Sequence, residues 1–265
     1  MRLTVIGSSG SIPGPDSPAS CYLIEEEGFR LLLDLGSGAL GPVQLYLPLT
    51  AIDAICLSHL HADHCLDMCP LWVAQIYAPD GPRPRIPVSG PAGTAERLAR
   101  ASGFTEEPGM TGAFEFGTLR PGTRQIGPFE ITLARMNHPV ETYGFRVAAG
   151  GRVIAYSADT GPSDALVGLA QDADLLLCEA TFLDEPGQPA NLHMSGKQAG
   201  EHAARAGAGQ LVLTHLAPWH DRQRSQAEAA AVYHGPLALA TSGLAANAYR
   251  RSATAKEPGG SPAGS

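Results

Sequence analysis

His59-Leu60-His61-Ala62-Asp63-His64 places three imidazoles and one carboxylate within six residues. The apolar run over residues 52–57 leads into it and reads as a buried strand. The four polar side chains therefore fall at the C-terminal end of a strand, where α/β sheets place their ligands. Imidazole and carboxylate suit zinc, iron or manganese, whereas a closed structural zinc site would recruit thiolates. One histidine at such a place is commonly a scattered surface residue, but three interleaved with an aspartate need another explanation.

Working outward, three more potential ligands occur where strand-like runs end. His138 follows residues 131–136, Asp159 follows residues 153–156 within Ser157-Ala158-Asp159-Thr160-Gly161, and His215 follows residues 211–214. Each alone is an ordinary loop residue. Together with the opening motif they make seven nitrogen or oxygen ligands. That number suits two metal ions of open coordination, with one ligand shared and water completing each sphere.

The pattern of the remaining chain is that of a folded α/β protein. Its 265 residues are 44% hydrophobic and 17% charged, enough to bury a sizeable core in one or two domains. Strands are expected at residues 3–6, 21–24, 30–34, 54–57, 129–136, 143–148, 152–156, 175–178 and 210–214. Helices are expected at 66–77, 92–101, 164–170, 195–206 and 225–233, with the Pro-rich stretch 78–87 ending the first. Two groups of strands, each followed by helices, predict two face-to-face sheets with helices outside. The loop over residues 7–20 lacks both GxxxxGK[ST] and a clean GxGxxG, and so reads as a turn.

Residues 1–249 are expected to form the domain, and the small, polar stretch 250–265 a disordered tail. A net charge of −8 argues against an extended nucleic-acid surface. No apolar segment reaches membrane-spanning length, and the first seven residues read as a strand rather than a signal peptide. Five cysteines without CxxC spacing read as reduced thiols of a cytoplasmic protein. Cys65 and Cys69, four residues apart, could share a helix face as buried structural thiols.

The motif HxHxDH followed by a distant His, Asp and His resembles the metallo-β-lactamase fold, and the likeness runs to about Pro236. The resemblance implies an αββα sandwich of two mixed sheets with the site at one sheet edge. It also implies that His59, His61 and His138 hold one metal and Asp63, His64 and His215 the other, with Asp159 bridging. Two divalent cations, two carboxylates and a hydroxide then leave about one positive charge, a focus for a phosphate oxygen.

Further blocks resemble the tRNA 3′-processing endonuclease branch. Cys178-Glu179-Ala180-Thr181-Phe182 is similar to its His-Glu-Ala-Thr block, with Cys in place of the first His. His193-Met194-Ser195 is similar to its His-Ser-Thr block, and Asn137-His138-Pro139 with Tyr143-Gly144-Phe145-Arg146 to its third-histidine loop. By that resemblance His193 is the general acid and Glu179 orients it, while Asp63 can also hold the hydroxide's proton. Ser195 could equally cap a helix beside an uninvolved His193, and Glu179 could be a structural hydrogen-bonding residue.

The branch's long basic arm for tRNA has no counterpart in the sequence. The opening seven residues, Gly14-Pro15-Asp16-Ser17-Pro18-Ala19-Ser20, residues 57–66 and residues 174–219 most resemble actinobacterial cyclic-AMP phosphodiesterases. Hydrolysis of 3′,5′-cyclic nucleotides to 5′-monophosphates is the implied activity, with two divalent ions, zinc foremost, and a homodimer. Alternatives are an RNA endonuclease and a non-catalytic metal-binding regulator. Tyr143, Phe182 and Trp219 are candidate stacking partners for the base.

Overall fold

Leu31-Leu32-Leu33 of β3 (Phe29–Leu33) and Leu175-Leu176-Leu177 of β11 (Leu175–Glu179) are apolar without alternation because both faces of each strand are covered. Leu31, Leu33, Leu175 and Leu177 join one core, packed with Tyr22, Phe129, Phe145 and Tyr156 between two sheets. Leu32 turns outward to a second core with Met68, Leu71 and Leu98, and Leu176 to a third with Leu166, Ala199, Ala203 and Ala229. Three cores between four layers make the αββα sandwich. The computed structural model describes residues 1–79, 81 and 83–247, so the stretch 250–265, expected as a tail, lies outside the described residues.

The first sheet contains β1 (Arg2–Gly7), β2 (Cys21–Glu26), β3, β4 (Ala54–Cys56), β5 (Ile86–Gly90) and β6 (Phe114–Thr118). The second contains β7 (Gly122–Ile126), β8 (Phe129–Arg135), β9 (Tyr143–Ala149), β10 (Arg152–Tyr156), β11, β12 (Leu211–Thr214) and β13 (Leu237–Leu239). A last strand, β14 (Ala245–Asn247), returns to the first, giving seven strands each in the orders β14-β1-β2-β3-β4-β5-β6 and β13-β12-β11-β10-β9-β8-β7. In each sheet one half is antiparallel and the other parallel. Solvent reaches the outer face in the antiparallel part of the second sheet. There β8 buries Phe129, Ile131 and Leu133 and exposes Glu130.

Helices α1 (Leu40–Val43), α2 (Ala62–Cys65), α3 (Met68–Ile76) and α4 (Thr94–Ala101) cover the first sheet. The second is covered by α5 (Asp164–Leu169), α6 (Gly196–Ala206) and α7 (Arg222–Ala230). The helix expected over 66–77 is α3, a single helix that begins two residues later because Asp67, just before it, accepts from Gly38 N (3.1 Å) and Leu40 N (2.7 Å). Cys65 and Cys69 thus lie on different helices, and all five cysteines are free. Strands β5, β6, β7, β13 and β14 were not expected from the sequence. Beyond Pro236, where the likeness was expected to end, β13 pairs with β12 and β14 with β1, adding an edge strand to each sheet. Among the described residues no helix is long and apolar enough to cross a membrane.

Candidate metal centre

Strands β3 and β4 run parallel, as do β10, β11 and β12, and their C-terminal ends meet along one edge of the sandwich. The loop after β4 carries His59 and His61, and α2 presents Asp63 and His64. Asp159 follows β10 and His215 follows β12, while His138 enters after β8. Six non-glycine positions among the described residues have positive φ, and four of them, Ser11, Asp34, Ala158 and His215, lie at this edge. Such backbone persists only where surrounding contacts hold it, and it concentrates at ligand sites.

All seven sequence-predicted ligands come together, in two sets. In the first, His61 Nδ1 lies 3.0 Å from His59 Nε2 and 3.3 Å from His138 Nε2. Asp159 Oδ2 stands 3.5 Å from His59 Nε2 and 4.0 Å from His138 Nε2. In the second, His215 Nε2 lies 3.1 Å from His64 Nε2 and 3.1 Å from Asp63 Oδ2. Asp159 Oδ1 closes this set at 3.1 Å from His64 Nε2 and 3.4 Å from His215 Nε2. Metal–ligand bonds of about 2.0–2.1 Å in a tetrahedron put ligand atoms about 3.3 Å apart, which is the spacing seen. Asp159 offers a different oxygen to each set, so one carboxylate could serve both.

The proton positions, assigned from the hydrogen-bond network, favour a cation. Ser58 Oγ donates to Asp34 Oδ2 (2.8 Å) and so accepts from His59 Nδ1 (3.1 Å). His64 Nδ1 donates to Asp34 Oδ2 (2.8 Å) and His138 Nδ1 to Leu192 O (2.9 Å). Thr181 Oγ1 donates to His215 O (2.9 Å) and accepts from His215 Nδ1 (2.7 Å). With Nδ1 protonated in four rings, their Nε2 lone pairs face one another and the carboxylates. Asp159 Oδ1 is buried with no hydrogen-bond partner. Ring nitrogens and carboxylate oxygens that converge in this way fit a divalent ion, and these two sets could each hold one.

Charges within the centre agree. Burial, with the neighbouring His64, keeps His59 well below the ordinary imidazole value, and burial lowers His61 and His138. These rings stay neutral, as ligands need. Burial would raise Asp63 and Asp159, but the adjacent His215 and His64 outweigh it and hold both carboxylates low. Burial opposes charge on His64, yet Asp159 and Asp34 hold it well above its usual value, so this position favours positive charge.

Beside the two sets, His193 Nδ1 donates to Glu179 Oε1 at 2.9 Å. Glu179 is fully buried at the end of β11 and also accepts from Thr160 N (2.8 Å), Thr181 N (3.1 Å) and Met194 N (3.3 Å). The ring of His193 lies 5.6 Å from His138 and 5.4 Å from His215, centroid to centroid, and so borders both sets. Ser195 caps α6 by accepting from Gln198 N, which fixes the entry of this segment without occupying His193. Of the three candidate stacking residues, Tyr143 is a core residue whose hydroxyl donates to Glu141, and Phe182 packs edge-on against His193. Trp219 alone keeps its ring open, 62% exposed, four residues past His215.

Asp34 was not singled out in the sequence, although a carboxylate ending Leu31-Leu32-Leu33 was a legible signal. It accepts from Ser58 N (2.6 Å), Ser58 Oγ (2.8 Å), His64 Nδ1 (2.8 Å) and Tyr156 OH (2.8 Å), and so orients His59 and His64 together. Asp34→Asn is expected to lower metal affinity about 10–100-fold while every direct ligand remains. Competition against a colorimetric chelator measures this, and an unchanged affinity would refute the role.

Two seven-stranded mixed sheets between helices, with paired His/Asp clusters that could bind divalent ions at one edge, define a metallo-hydrolase of the metallo-β-lactamase fold. The chain belongs to the beta-lactamase superfamily, whose domain model matches residues 29–216. It is 41% identical over 248 residues to an uncharacterized protein of Mycobacterium leprae, covering 92% of this chain and 87% of that one. The probable metallo-hydrolase YhfI of Bacillus subtilis is 34% identical over 248 residues, covering 92% and 98%. The crystal structure of YhfI matches with a TM-score of 0.82 and 31% identity over the same shares. A ribonuclease Z of Thermobifida fusca is 30% identical over 299 residues, covering 90% and 92%.

Proposed function

We propose that this metallo-hydrolase cleaves 3′,5′-cyclic nucleotides, cyclic AMP foremost, to 5′-monophosphates. His59, His61 and His138 would hold one divalent ion, Asp63, His64 and His215 the other, and Asp159 both; zinc is the first candidate, manganese and iron the others. The observation that carries the reading is His193, a proton donor fixed by Glu179 at the border of both ligand sets. When bound, the ions supply Lewis acidity toward phosphoryl oxygens and acidify water.

The chain's own groups do the rest. Burial lowers His193, but the carboxylate of Glu179 overrides it and holds the ring up to about 9. At neutral pH the ring is therefore protonated and can give its Nε2 proton to the departing 3′ oxygen. Asp63 Oδ2 faces His64 and His215, so its other oxygen can take the proton of the attacking water. Trp219 offers an open ring on which the base can stack.

The charge of −8 favours one small phosphodiester over a long polyanion. A second reading, an RNA endonuclease, draws on the 30% identity to the Thermobifida fusca ribonuclease Z. Incubation with cyclic AMP is expected to yield 5′-AMP, because the 3′ bond breaks, while precursor tRNA is cut weakly and loses its binding steeply with salt. Product chromatography beside a tRNA cleavage assay checks this. Efficient tRNA 3′ cleavage at physiological salt with cyclic AMP untouched would replace the first reading by the second.

A further inference from the structure

The loop joining β1 to β2 carries Gly10-Ser11-Ile12 onto the second ligand set. Gly10 N donates to Leu216 O (3.0 Å) and Leu216 N to Ser8 O (3.1 Å), which ties the loop to the residue after His215. A Cβ on Gly10 would collide with the His215 carbonyl and stand 2.9 Å from its Nδ1, so only glycine permits this approach. Ile12 N donates to Gly10 O at 2.7 Å, closing a three-residue turn with Ser11 at φ 63°. The positive-φ γ-turn is the rare and strained form.

The turn aims Ser11 N–H at His215 Nε2, 3.4 Å away. That same nitrogen faces His64 Nε2, Asp63 Oδ2 and Asp159 Oδ1. A single lone pair cannot both accept from this amide and ligate a cation. In the metal-loaded protein the donor loses this acceptor, and an anionic oxygen beside the cation gives it a charge-assisted hydrogen bond stronger than one to water. We propose that the Ser11 backbone N–H donates to a phosphoryl oxygen of the substrate and so positions it against the second metal set. The proposal rests on the phosphodiester reading above. It concerns the main chain only, since the Ser11 side chain is exposed.

The test uses the full-length, zinc-loaded chain and inorganic phosphate as the probe. In an amide NMR titration the Ser11 proton is expected to move downfield as phosphate saturates. A backbone ester at position 11 deletes the N–H alone; it can be installed by ligating a synthetic 1–20 segment at the native Cys21. The ester protein is expected to retain its metal but to bind phosphate about 10- to 100-fold more weakly. Ser11→Ala, which retains the N–H, is expected to bind phosphate like the unaltered protein. A silent Ser11 amide at saturating phosphate, or unchanged phosphate affinity in the ester, would overturn the proposal. The titration needs no variant and decides alone if the ester fails to refold. Cyclic AMP left intact while the Ser11 amide responds would remove the substrate reading and leave this donor standing. Turnover of cyclic AMP with a silent amide would do the reverse.

Discussion

Asp159→Ala is expected to empty both metal positions and to abolish hydrolysis. The carboxylate gives Oδ2 to the set of His59, His61 and His138, and Oδ1 to the set of His64, His215 and Asp63. Removing it takes one ligand from each set and withdraws the negative charge that balances two cations. The loss should exceed the about 10–100-fold that follows removal of a group one shell further out. Elemental analysis should show close to two divalent ions per chain in the unaltered protein and far fewer in the variant. Chelation of the unaltered protein should abolish activity, and added metal should restore it. Fully active protein with one ion or none would sink the dinuclear assignment.

His193→Ala is expected to separate chemistry from metal binding. The ring touches Glu179 rather than serving in either of the two principal sets, so metal content should stay intact while kcat falls about 10²- to 10⁴-fold. Bis-p-nitrophenyl phosphate has a leaving group that needs little protonation and should lose far less. Equal losses on both substrates would mean that His193 holds the phosphate or the fold instead. Glu179→Gln adds a test with a definite sign. His193 is raised to about 9, burial opposing and Glu179 prevailing, so its proton is present below that value and lost above it. Removing the Glu179 charge lowers the ring's value, and the alkaline limb of kcat should move to lower pH. A limb that stays in place would exclude His193 as its source.

How much was readable in advance differs between elements. The strands that lead to the candidate ligands were legible, since β4, β8, β10 and β12 are each carried by an apolar or alternating run with a histidine or aspartate a few residues beyond its end. Strand β5 was hidden because Ile86-Pro87-Val88-Ser89-Gly90 carries a proline, a serine and a glycine. Strands β13 and β14 have three residues each, too short for any periodicity to register. Their pairing is supplied by β12 and β1, distant partners that no local window contains.

The sequence by itself singled out the candidate ligands, and their grouping followed from the family resemblance. Seven imidazole and carboxylate side chains in and beyond one short motif have a chemical meaning that does not depend on where the chain goes next. Only the tertiary structure decided what surrounds them. Asp34, Ser58, Thr181 and the Leu192 carbonyl set the ring tautomers, Glu179 sets the His193 proton, and the Gly10–Ile12 turn turns an amide toward His215. These are ordinary polar groups, or main chain, with no signature of their own. They acquire a role because burial removes water, leaving each donor and acceptor only the partners that packing brings within about 3 Å.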